Sequence, residues 1–212
     1  GSNDYGLSFY KLGTNDDYVG FSSQPTNQIS CLGSTASFTV TPTGLVSGTT
    51  PTYSYQWYKN GSLITNNSIF SGATSATLNL TGITSSEATS YTCVVSATTP
   101  SGTISYTSNP ATLVANALPT ITGTLTACSG STSQLTGSAT ANSINPWTSS
   151  NSGIAAVSST GLVTAVAGGT ATITYKNTNG CTTSVLFTSR ALPTFTTSTG
   201  SSYLCGVAGG AY

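Results

Sequence analysis

A period of two runs through the stretch Tyr53-Ser54-Tyr55-Gln56-Trp57-Tyr58-Lys59-Asn60-Gly61. Alternation of this kind places successive side chains on opposite faces of a β-strand, so Tyr53, Tyr55 and Trp57 share one face and Tyr58 lies on the other. The pair Asn60-Gly61 is typical of a two-residue hairpin turn, because these residue types tolerate the positive φ that the turn requires. The stretch therefore predicts a strand, followed by a tight turn, whose Trp57 face lies at least partly in a core.

The same alternation recurs along the rest of the chain. Apolar residues alternate with hydroxyl-bearing ones in residues 37–41, 77–81, 92–96 and 170–175. Turn signals separate such runs, at Ser71-Gly72, Thr160-Gly161 and Asn179-Gly180. Short strands at regular spacing, without the apolar spacing of amphipathic helices, predict an all-β fold of sandwiches or barrels and not a parallel sheet.

Charged side chains are scarce, which excludes several function classes. The 212 residues include four Lys or Arg, four Asp or Glu and no His, whereas an ordinary soluble protein has about 25% charged residues. Nucleic-acid binding and attraction to anionic membranes both need clustered basic residues, so neither partner is expected. Acid–base catalysis depends mostly on His and paired carboxylates. We therefore expect no catalytic residues, no cofactor and no enzymatic activity.

Hydroxyl groups take the place of charges. Ser and Thr make up 77 of the 212 residues, and the hydrophobic fraction is 37%. Thr suits a strand because its branched Cβ packs well on a pleated surface, so we interpret the Thr excess as the solvent faces of many strands. A mucin-like stalk would need more than eight prolines. No apolar run approaches the roughly 20 residues of a membrane-spanning helix, so no membrane insertion is expected.

Residues 1–23 differ from the rest, because they hold half of all charges together with a cluster of aromatic residues. We expect an aromatic and acidic β-hairpin-like segment, with its strands joined at residues 13–17. A calcium site at Asn15, Asp16 and Asp17 is an alternative, although the second cluster of carboxylates that it needs is missing. Gly1-Ser2 without a starting Met is typical of the residues left by tag removal, so we expect the chain to be a slice of a longer protein.

Repeated motifs predict where modules begin. Ala-Leu-Pro-Thr occurs at residues 117–120 and again at 191–194, and a Cys next to or near a Gly follows each copy, at Cys128-Ser129-Gly130 and Cys205-Gly206. An earlier copy is Cys31-Leu32-Gly33, after Pro25. These starts predict a tandem array with modules at residues 24–116 and 117–191 and the start of a truncated third module at residues 192–212.

Three motifs in residues 24–116 belong together: the 55–61 stretch with Trp57, the run at 76–80, and Glu87-Ala-Thr-Ser-Tyr91-Thr-Cys93. Together they resemble the immunoglobulin-like family. The resemblance implies a sandwich with Trp57 and Tyr91 in its core and the Tyr91 hydroxyl bonded to backbone at a strand corner. Cys31 precedes the strand at 35–41, earlier than the usual first cysteine. The resemblance therefore implies a Cys31–Cys93 bridge that staples the first strand.

Residues 120–188 contain Trp147, the run 154–158 and the run 160–174 with Thr160-Gly161 and Gly168-Gly169. This string resembles the group 2 type of bacterial immunoglobulin-like repeats found in invasin- and intimin-type adhesins. The resemblance implies that Trp147 is a core residue and that five aliphatic side chains point inward: Ile154, Val157, Val163, Val166 and Ile173. It also implies a Cys128–Cys181 bridge.

With two bridges assigned, Cys205 remains unpaired within this chain, and we expect its partner beyond Tyr212. Zinc is not expected at the cysteines, because the chain has no Cys-x-x-Cys pair and no His. We therefore expect no metal site.

The order of modules resembles giant secreted surface proteins of Bacteroidota, including adhesins used in gliding motility. The resemblance implies tandem immunoglobulin-like sandwiches at the bacterial cell surface, acting as a disulfide-stapled spacer that presents an adhesive region and transmits force. We expect a monomer whose partners are neighbouring repeats and, beyond them, surface glycans or a solid substrate. The alternative is a carbohydrate-binding accessory module of a secreted hydrolase, with Tyr53, Tyr58 and Tyr106 as possible glycan contacts.

Overall fold

A computed structural model describes residues 17–46, 50–100 and 102–193 of the chain. The chain forms two compact units, unit 1 (Gly1–Asn116) and unit 2 (Ala117–Tyr212). Across the described residues the regular structure consists of nineteen β-strands and one 3₁₀ turn at Ser85–Glu87. The expected all-β class with tandem sandwiches is confirmed. Residues 1–16, the predicted third module from residue 194 onward and Cys205 lie outside the described residues.

Unit 1 contains three sheets. Its strands are β1 (Tyr18–Ser23), β2 (Gln28–Cys31), β3 (Ala36–Thr39), β4 (Thr41–Leu45), β5 (Tyr53–Lys59), β6 (Ser62–Leu63), β7 (Phe70–Ser71), β8 (Thr77–Leu80), β9 (Ser90–Thr99), β10 (Gly102–Thr107) and β11 (Ala111–Asn116). One sheet has the order β2-β11-β9-β5-β6, with β10 also paired to β9. A second has the order β3-β8-β7, and β1 pairs with β4 in a third. The described part of residues 1–23 therefore supplies an antiparallel partner to β4.

The core of unit 1 follows from the period of two. In β9 the side chains of Tyr91, Cys93 and Val95 are fully buried, and the residues between them are partly exposed. Trp57 of β5 lies opposite Cys93 in the ladder and is also fully buried. Between β5 and β6, Asn60 and Gly61 have φ values of 46° and 79°. The predicted Asn60-Gly61 hairpin turn is thus confirmed.

Unit 2 is a sandwich of two four-stranded sheets. Its strands are β12 (Ile121–Gly123), β13 (Thr126–Cys128), β14 (Thr132–Gly137), β15 (Trp147–Ser149), β16 (Ala155–Val157), β17 (Leu162–Ala165), β18 (Gly169–Lys176) and β19 (Thr182–Arg190). One sheet has the order β12-β14-β17-β16 and the other β13-β19-β18-β15. Their inner faces enclose a core of Leu135, Trp147, Ala155, Val163, Ala165, Ala171, Ile173, Tyr175 and Phe187.

One of the five aliphatic residues expected to point inward does not. Val163 and Ile173 are fully buried, and Ile154 and Val157 pack against the core while partly exposed. Val166 is 50% exposed, so its assignment is wrong. The reason is the alternation along β17: Val163 and Ala165 face the core, which turns residue 166 toward solvent.

The two units share an arrangement of their cysteine-bearing strands. In unit 1, β2 runs parallel to β11, the last strand, and Cys31 pairs with Asn116. In unit 2, β13 runs parallel to β19, again the last described strand, and Cys128 pairs with Arg190. Each cysteine therefore lies at the end of a short strand that pairs in parallel with the last described strand of its unit.

A Cys-x-Gly turn follows each of these cysteines and carries the chain from one sheet to the other. Gly33 and Gly130 have φ values of 79° and 87°, a region that favours glycine. The N–H of Gly33 donates to the carbonyl of Ile83, and the N–H of Gly130 donates to that of Ala165, both over 2.7 Å. In unit 2 the acceptor belongs to β17 of the sheet that the chain is about to join, and in unit 1 it lies just after β8 of that sheet.

Two side chains connect the segment before β2 to the backbone in and just before β11. The amide oxygen of Gln24 accepts a hydrogen bond from the Asn109 N–H over 2.9 Å, and that of Asn27 accepts one from the Thr112 N–H over 2.8 Å. We call Gln24 and Asn27 the side-chain latch. Since β2 is the edge of its sheet, the latch adds two bonds where the backbone ladder is short.

Removing the latch should destabilise unit 1 alone. We expect the double variant Gln24→Ala/Asn27→Ala to lose roughly 1–2 kcal/mol of unfolding free energy, because each net hydrogen bond contributes about 0.5–1.5 kcal/mol. Urea unfolding followed by Tyr and Trp fluorescence measures the change. Gln28→Ala is the matched control, because the Gln28 side chain bonds only within residues 26–28; an equal loss in that variant would contradict the role of the latch.

Candidate functional site

Three aromatic rings lie between the sheets of unit 1. Phe38 and Tyr91 are stacked with ring centroids 4.7 Å apart, and Trp57 lies 6.3 Å from Phe38. All three are fully buried. The indole N–H of Trp57 donates to the carbonyl of Ser75 over 2.8 Å, and the Tyr91 hydroxyl donates to the carbonyl of Glu87 over 2.9 Å. The polar atoms of Trp57 and Tyr91 are therefore satisfied inside the fold, and these rings hold no free group for a ligand.

Glu87 is a buried carboxylate at the strand corner that precedes Tyr91. The motif Thr84-x-x-Glu87 is a capping box, in which the Thr84 N–H donates to Oε2 of Glu87 over 2.9 Å. The hydroxyls of Thr84 and Ser86 donate to the same carboxylate over 2.6 Å and 2.7 Å. Lys59 at the end of β5 forms a salt bridge with the same carboxylate, with its Nζ 3.1 Å from Oε1 of Glu87. The capping spacing is readable from the sequence, whereas the partnership with Lys59 is not.

Burial by itself would raise the pKa of Glu87, but the hydrogen bonds from Thr84, Ser86 and Lys59 outweigh it and lower the pKa to about 2. The carboxylate is therefore charged throughout the physiological range. General acid catalysis would need a carboxyl group that holds a proton near neutral pH. The arrangement suits a structural link between the end of β5 and the turn before β9. It does not suit a catalytic acid.

The three tyrosines considered as glycan contacts do not share a surface. Tyr53 pairs with Ala97, and Tyr106 pairs with the buried Val95, so both side chains lie on the inner face of the sheet and pack against the core. The Tyr106 ring lies 5.9 Å from that of Phe21. The Tyr53 hydroxyl is buried with no hydrogen-bond partner within the described residues, and burial raises its pKa. Tyr58 lies on the opposite face, so a platform of Tyr53, Tyr58 and Tyr106 does not form.

Cys93 is a free thiol and is fully buried. The predicted Cys31–Cys93 bridge is therefore wrong. Ala111 of β11 pairs with Tyr91, whereas Cys31 pairs with Asn116. The five residue steps from Ala111 to Asn116 along β11 span roughly 17 Å. Disulfides need Cα atoms within about 7 Å of each other. Cys31 is nevertheless disulfide-bonded.

The predicted Cys128–Cys181 bridge is also wrong, although both cysteines are disulfide-bonded. Cys128 pairs with Arg190 at the end of β19, and Cys181 directly precedes Thr182 at its beginning. The length of β19 separates them by roughly 25 Å or more. Sequence order suggested a bridge from first strand to last hairpin, but the parallel register of β13 places Cys128 at the wrong end of that hairpin.

Unit 2 contains an open cavity of about 240 Å³. Trp147 and Tyr175 line it, with ring centroids 4.7 Å apart, and the Tyr175 hydroxyl donates to the carbonyl of Ala139 over 2.9 Å. Gly137 and Gly161 also belong to this region: a Cβ at either position would collide with the Tyr175 or the Trp147 ring. The sequence indicated Trp147 as a core residue but gave no signal for the cavity beside it.

The described residues contain no group of three or more His, Cys, Asp or Glu side chains that could hold a metal ion. Of the alternative calcium ligands, Asn15 and Asp16 lie outside the described residues, and Asp17 is buried. In the same part of the chain, none of the helical structure is long and apolar enough to cross a membrane.

Comparison with known families gives one match in each unit. Residues 20–97 match the family model described as Immunoglobulin domain, and residues 119–185 match Bacterial Ig-like domain (group 2). No curated protein matches the chain. The two motif sets identified in the sequence therefore correspond to immunoglobulin-like modules, the second of a bacterial type.

Solved structures with similar folds are tandem immunoglobulin domains. The titin tandem A164–A165 is 17% identical, with a TM-score of 0.36 over 82% of this chain and 96% of that one. The insect immune protein hemolin is 14% identical, with a TM-score of 0.46 over 84% of this chain and 48% of that one. Sidekick-1 domains 1–5 are 15% identical, with a TM-score of 0.42 over 84% and 40%. At these values the matches carry no argument about function.

Acid should destabilise unit 1 through Glu87. Its pKa is 4.5 when unperturbed and about 2 in the fold, so the stabilisation is fully present above about pH 4.5 and is lost as the pH falls toward 2. The difference corresponds to about 3 kcal/mol. We expect Glu87→Gln to flatten the dependence of unfolding free energy on pH in this range, measured by urea unfolding at several pH values.

Lys59→Met is the control for this experiment. It keeps the hydrogen bonds of Thr84 and Ser86, which lower the pKa more than Lys59 does, so most of the pH dependence should remain. A Lys59→Met variant as flat as Glu87→Gln would contradict this assignment.

The Cys93 thiol should be unreactive until unit 1 unfolds. Burial raises its pKa to about 12, and both the low thiolate fraction and the lack of access slow alkylation. We expect iodoacetamide at pH 8, without reductant, to leave Cys93 unmodified in the folded chain and to alkylate it fully in guanidinium, as measured by peptide mass spectrometry. Alkylation in the folded chain, or protection in guanidinium, would show that the thiol is either accessible or bonded.

Proposed function

We propose that this chain is a structural and adhesive segment of a large secreted bacterial cell-surface protein. It acts as a spacer that holds an adhesive region away from the cell and transmits force to it. The observation that carries the proposal is the tandem of two immunoglobulin-like units, of which the second matches a bacterial family. We also propose an extracellular location, which is supported by the same tandem and by the disulfide-bonded cysteines, because disulfides persist in oxidising compartments.

The strand arrangement of each unit supports a force-bearing role. In unit 1, β2 is parallel to β11 over four residue pairs, and in unit 2, β13 is parallel to β19 over three. Tension that pulls β2 and β11, or β13 and β19, in opposite directions along the strands loads the hydrogen bonds between them together, in shear. The side-chain latch adds two further bonds to this part of unit 1.

The surface composition supports a role that does not depend on charge. With eight charged residues in 212, the chain has little electrostatic attraction for nucleic acid or anionic lipid. Exposed apolar side chains are present, and Ile29 and Val114 lie side by side on the β2–β11 pair with 74% and 48% of their surfaces exposed. Contacts with neutral or apolar surfaces suit such a protein.

The finer form of the proposal is an adhesin used in gliding motility by a member of the Bacteroidota. It is supported only by the order of the modules. The alternative, a carbohydrate-binding accessory module of a hydrolase, is weakened because its three tyrosines lie on different faces of unit 1. We also propose that the chain is monomeric, which sedimentation analysis would test.

Single-molecule stretching between the ends of the chain tests the spacer role. In reducing buffer we expect two discrete unfolding events, each releasing on the order of 300 Å of chain, as about 100 residues at 3.3–3.6 Å each would give. The latch variant Gln24→Ala/Asn27→Ala should lower the unfolding force of one event and leave the other unchanged. Gradual extension without discrete events would contradict a force-bearing function.

A further inference from the structure

The cavity of unit 2 lies beside the turn that joins β16 to β17. Gln134 at the middle of β14 pairs with Leu162, the first residue of β17. Beyond that point β14 remains paired with β12 on its other side, but its edge toward β17 passes the 158–161 turn without a strand partner. Side chains of both sheets reach the opening: Thr136 from β14, Trp147 from β15 and Tyr175 from β18. The cavity is therefore bounded by elements of a single well-packed sandwich, which holds its walls in place without a ligand.

Trp147 brings an unused hydrogen-bond donor to this cavity. The side chain is only 7% exposed, and its indole N–H has no acceptor among the described residues. The fully buried polar side-chain atoms that lack a partner in that part of the chain are the hydroxyls of Tyr53 and Ser189, so the Trp147 N–H is not sealed in the core. Trp57, in contrast, donates to Ser75. Trp147, which lines the cavity, thus carries a donor that is unpaired within the described residues and not fully buried.

Gln134, which lines the cavity from the other sheet, supplies an oriented acceptor. Its Nε2 donates to the carbonyls of Leu135 and Thr160, over 2.7 Å and 2.9 Å. These two bonds fix the amide and use its donors, which leaves Oε1 to accept from a ligand. Thr136 and Ser159 add hydroxyl groups, and no charged side chain lines the cavity.

The remaining lining is apolar, and it includes Leu135, Ala139 and the ring of Tyr175. A matching ligand is neutral, has hydroxyl groups that both donate and accept, and has a C–H face to lie against apolar side chains. A volume of about 240 Å³ is smaller than the roughly 300–1,000 Å³ of pockets for drug-sized ligands. One small ring fits this size, and a chain of several rings does not.

We propose that this cavity of unit 2 binds a single neutral sugar ring, with the Trp147 indole N–H and the Gln134 amide oxygen as its polar contacts. The site goes beyond the spacer role proposed above and does not depend on it, because every group that forms it belongs to unit 2. It is also separate from the tyrosines of unit 1. An adhesive segment with such a site would contact glycans along its length as well as through the region that it presents.

Nuclear magnetic resonance on the whole ¹⁵N-labelled chain tests the proposal. The chain has two tryptophans, so its spectrum contains two indole N–H signals, and that of Trp57 is an internal control. The probes are the methyl glycosides of glucose, galactose, mannose and N-acetylglucosamine, titrated to about 100 mM because one-ring ligands in open sites bind in the millimolar range. We expect at least one glycoside to shift the Trp147 signal saturably and to leave the Trp57 signal in place.

Two variants of β14 locate the binding. Thr136→Phe places a ring in the mouth of the cavity and should abolish the shift. Thr132→Phe, on the same strand and the same face but outside the cavity, should preserve it. The proposal is overturned if no glycoside shifts the Trp147 signal, if both indole signals move in parallel without saturating, or if Thr136→Phe binds like the parent chain. Tighter binding of glucuronate than of the neutral glycosides would overturn the assignment of a neutral ligand.

Discussion

The packing of Phe38, Trp57 and Tyr91 between two sheets holds unit 1 together. The faces of these strands that point to solvent carry many Ser and Thr residues, and in the core aliphatic side chains such as Val40, Leu78 and Val95 pack with the rings. Aromatic side chains bury roughly 150–250 Å² each and gain further from stacked geometry. No disulfide crosses between the sheets at Cys93, which is a free thiol. The rings must therefore fit closely, because no covalent bond holds the sheets in register at that point.

The corner before Tyr91 shows how this packing is connected to the rest of unit 1. The Tyr91 hydroxyl is bonded to the backbone of Glu87, and the Glu87 carboxylate is held by Thr84, Ser86 and Lys59. Lys59 ends β5, two residues after Trp57. The position of the Tyr91 ring is thereby linked to β5 through the buried carboxylate of Glu87. Glu87 is one of only eight charged residues in the chain. It lies at the strand corner, where a shift of the backbone would disturb the core.

Local patterns in the sequence predicted much of the fold. The period of two identified the strands around Trp57 and Tyr91, and Asn60-Gly61 identified a hairpin, because these features depend on the preferences of adjacent residues.

The predicted cysteine pairings were wrong because they depend on register between strands that are distant in sequence. The parallel pairing of Cys31 with Asn116 and of Cys128 with Arg190 has no local signal. The placement of the three tyrosines considered as glycan contacts depends on register in the same way. The alternation separated Tyr58 from Tyr53, but only the pairing of β9 with β10 shows that Tyr106 faces inward. The cavity beside Trp147 depends on where β14 outruns β17, which residue types alone do not indicate.

The Cys-x-Gly turn occurs in both units with the same hydrogen bonds, although the sequences around it differ. In both units these three residues and their backbone hydrogen bonds stand where the chain moves from one sheet to the other. Two units of different sequence therefore change sheets through one shared backbone geometry. A tandem array can in this way repeat the same chain reversal while the exposed side chains of each unit differ.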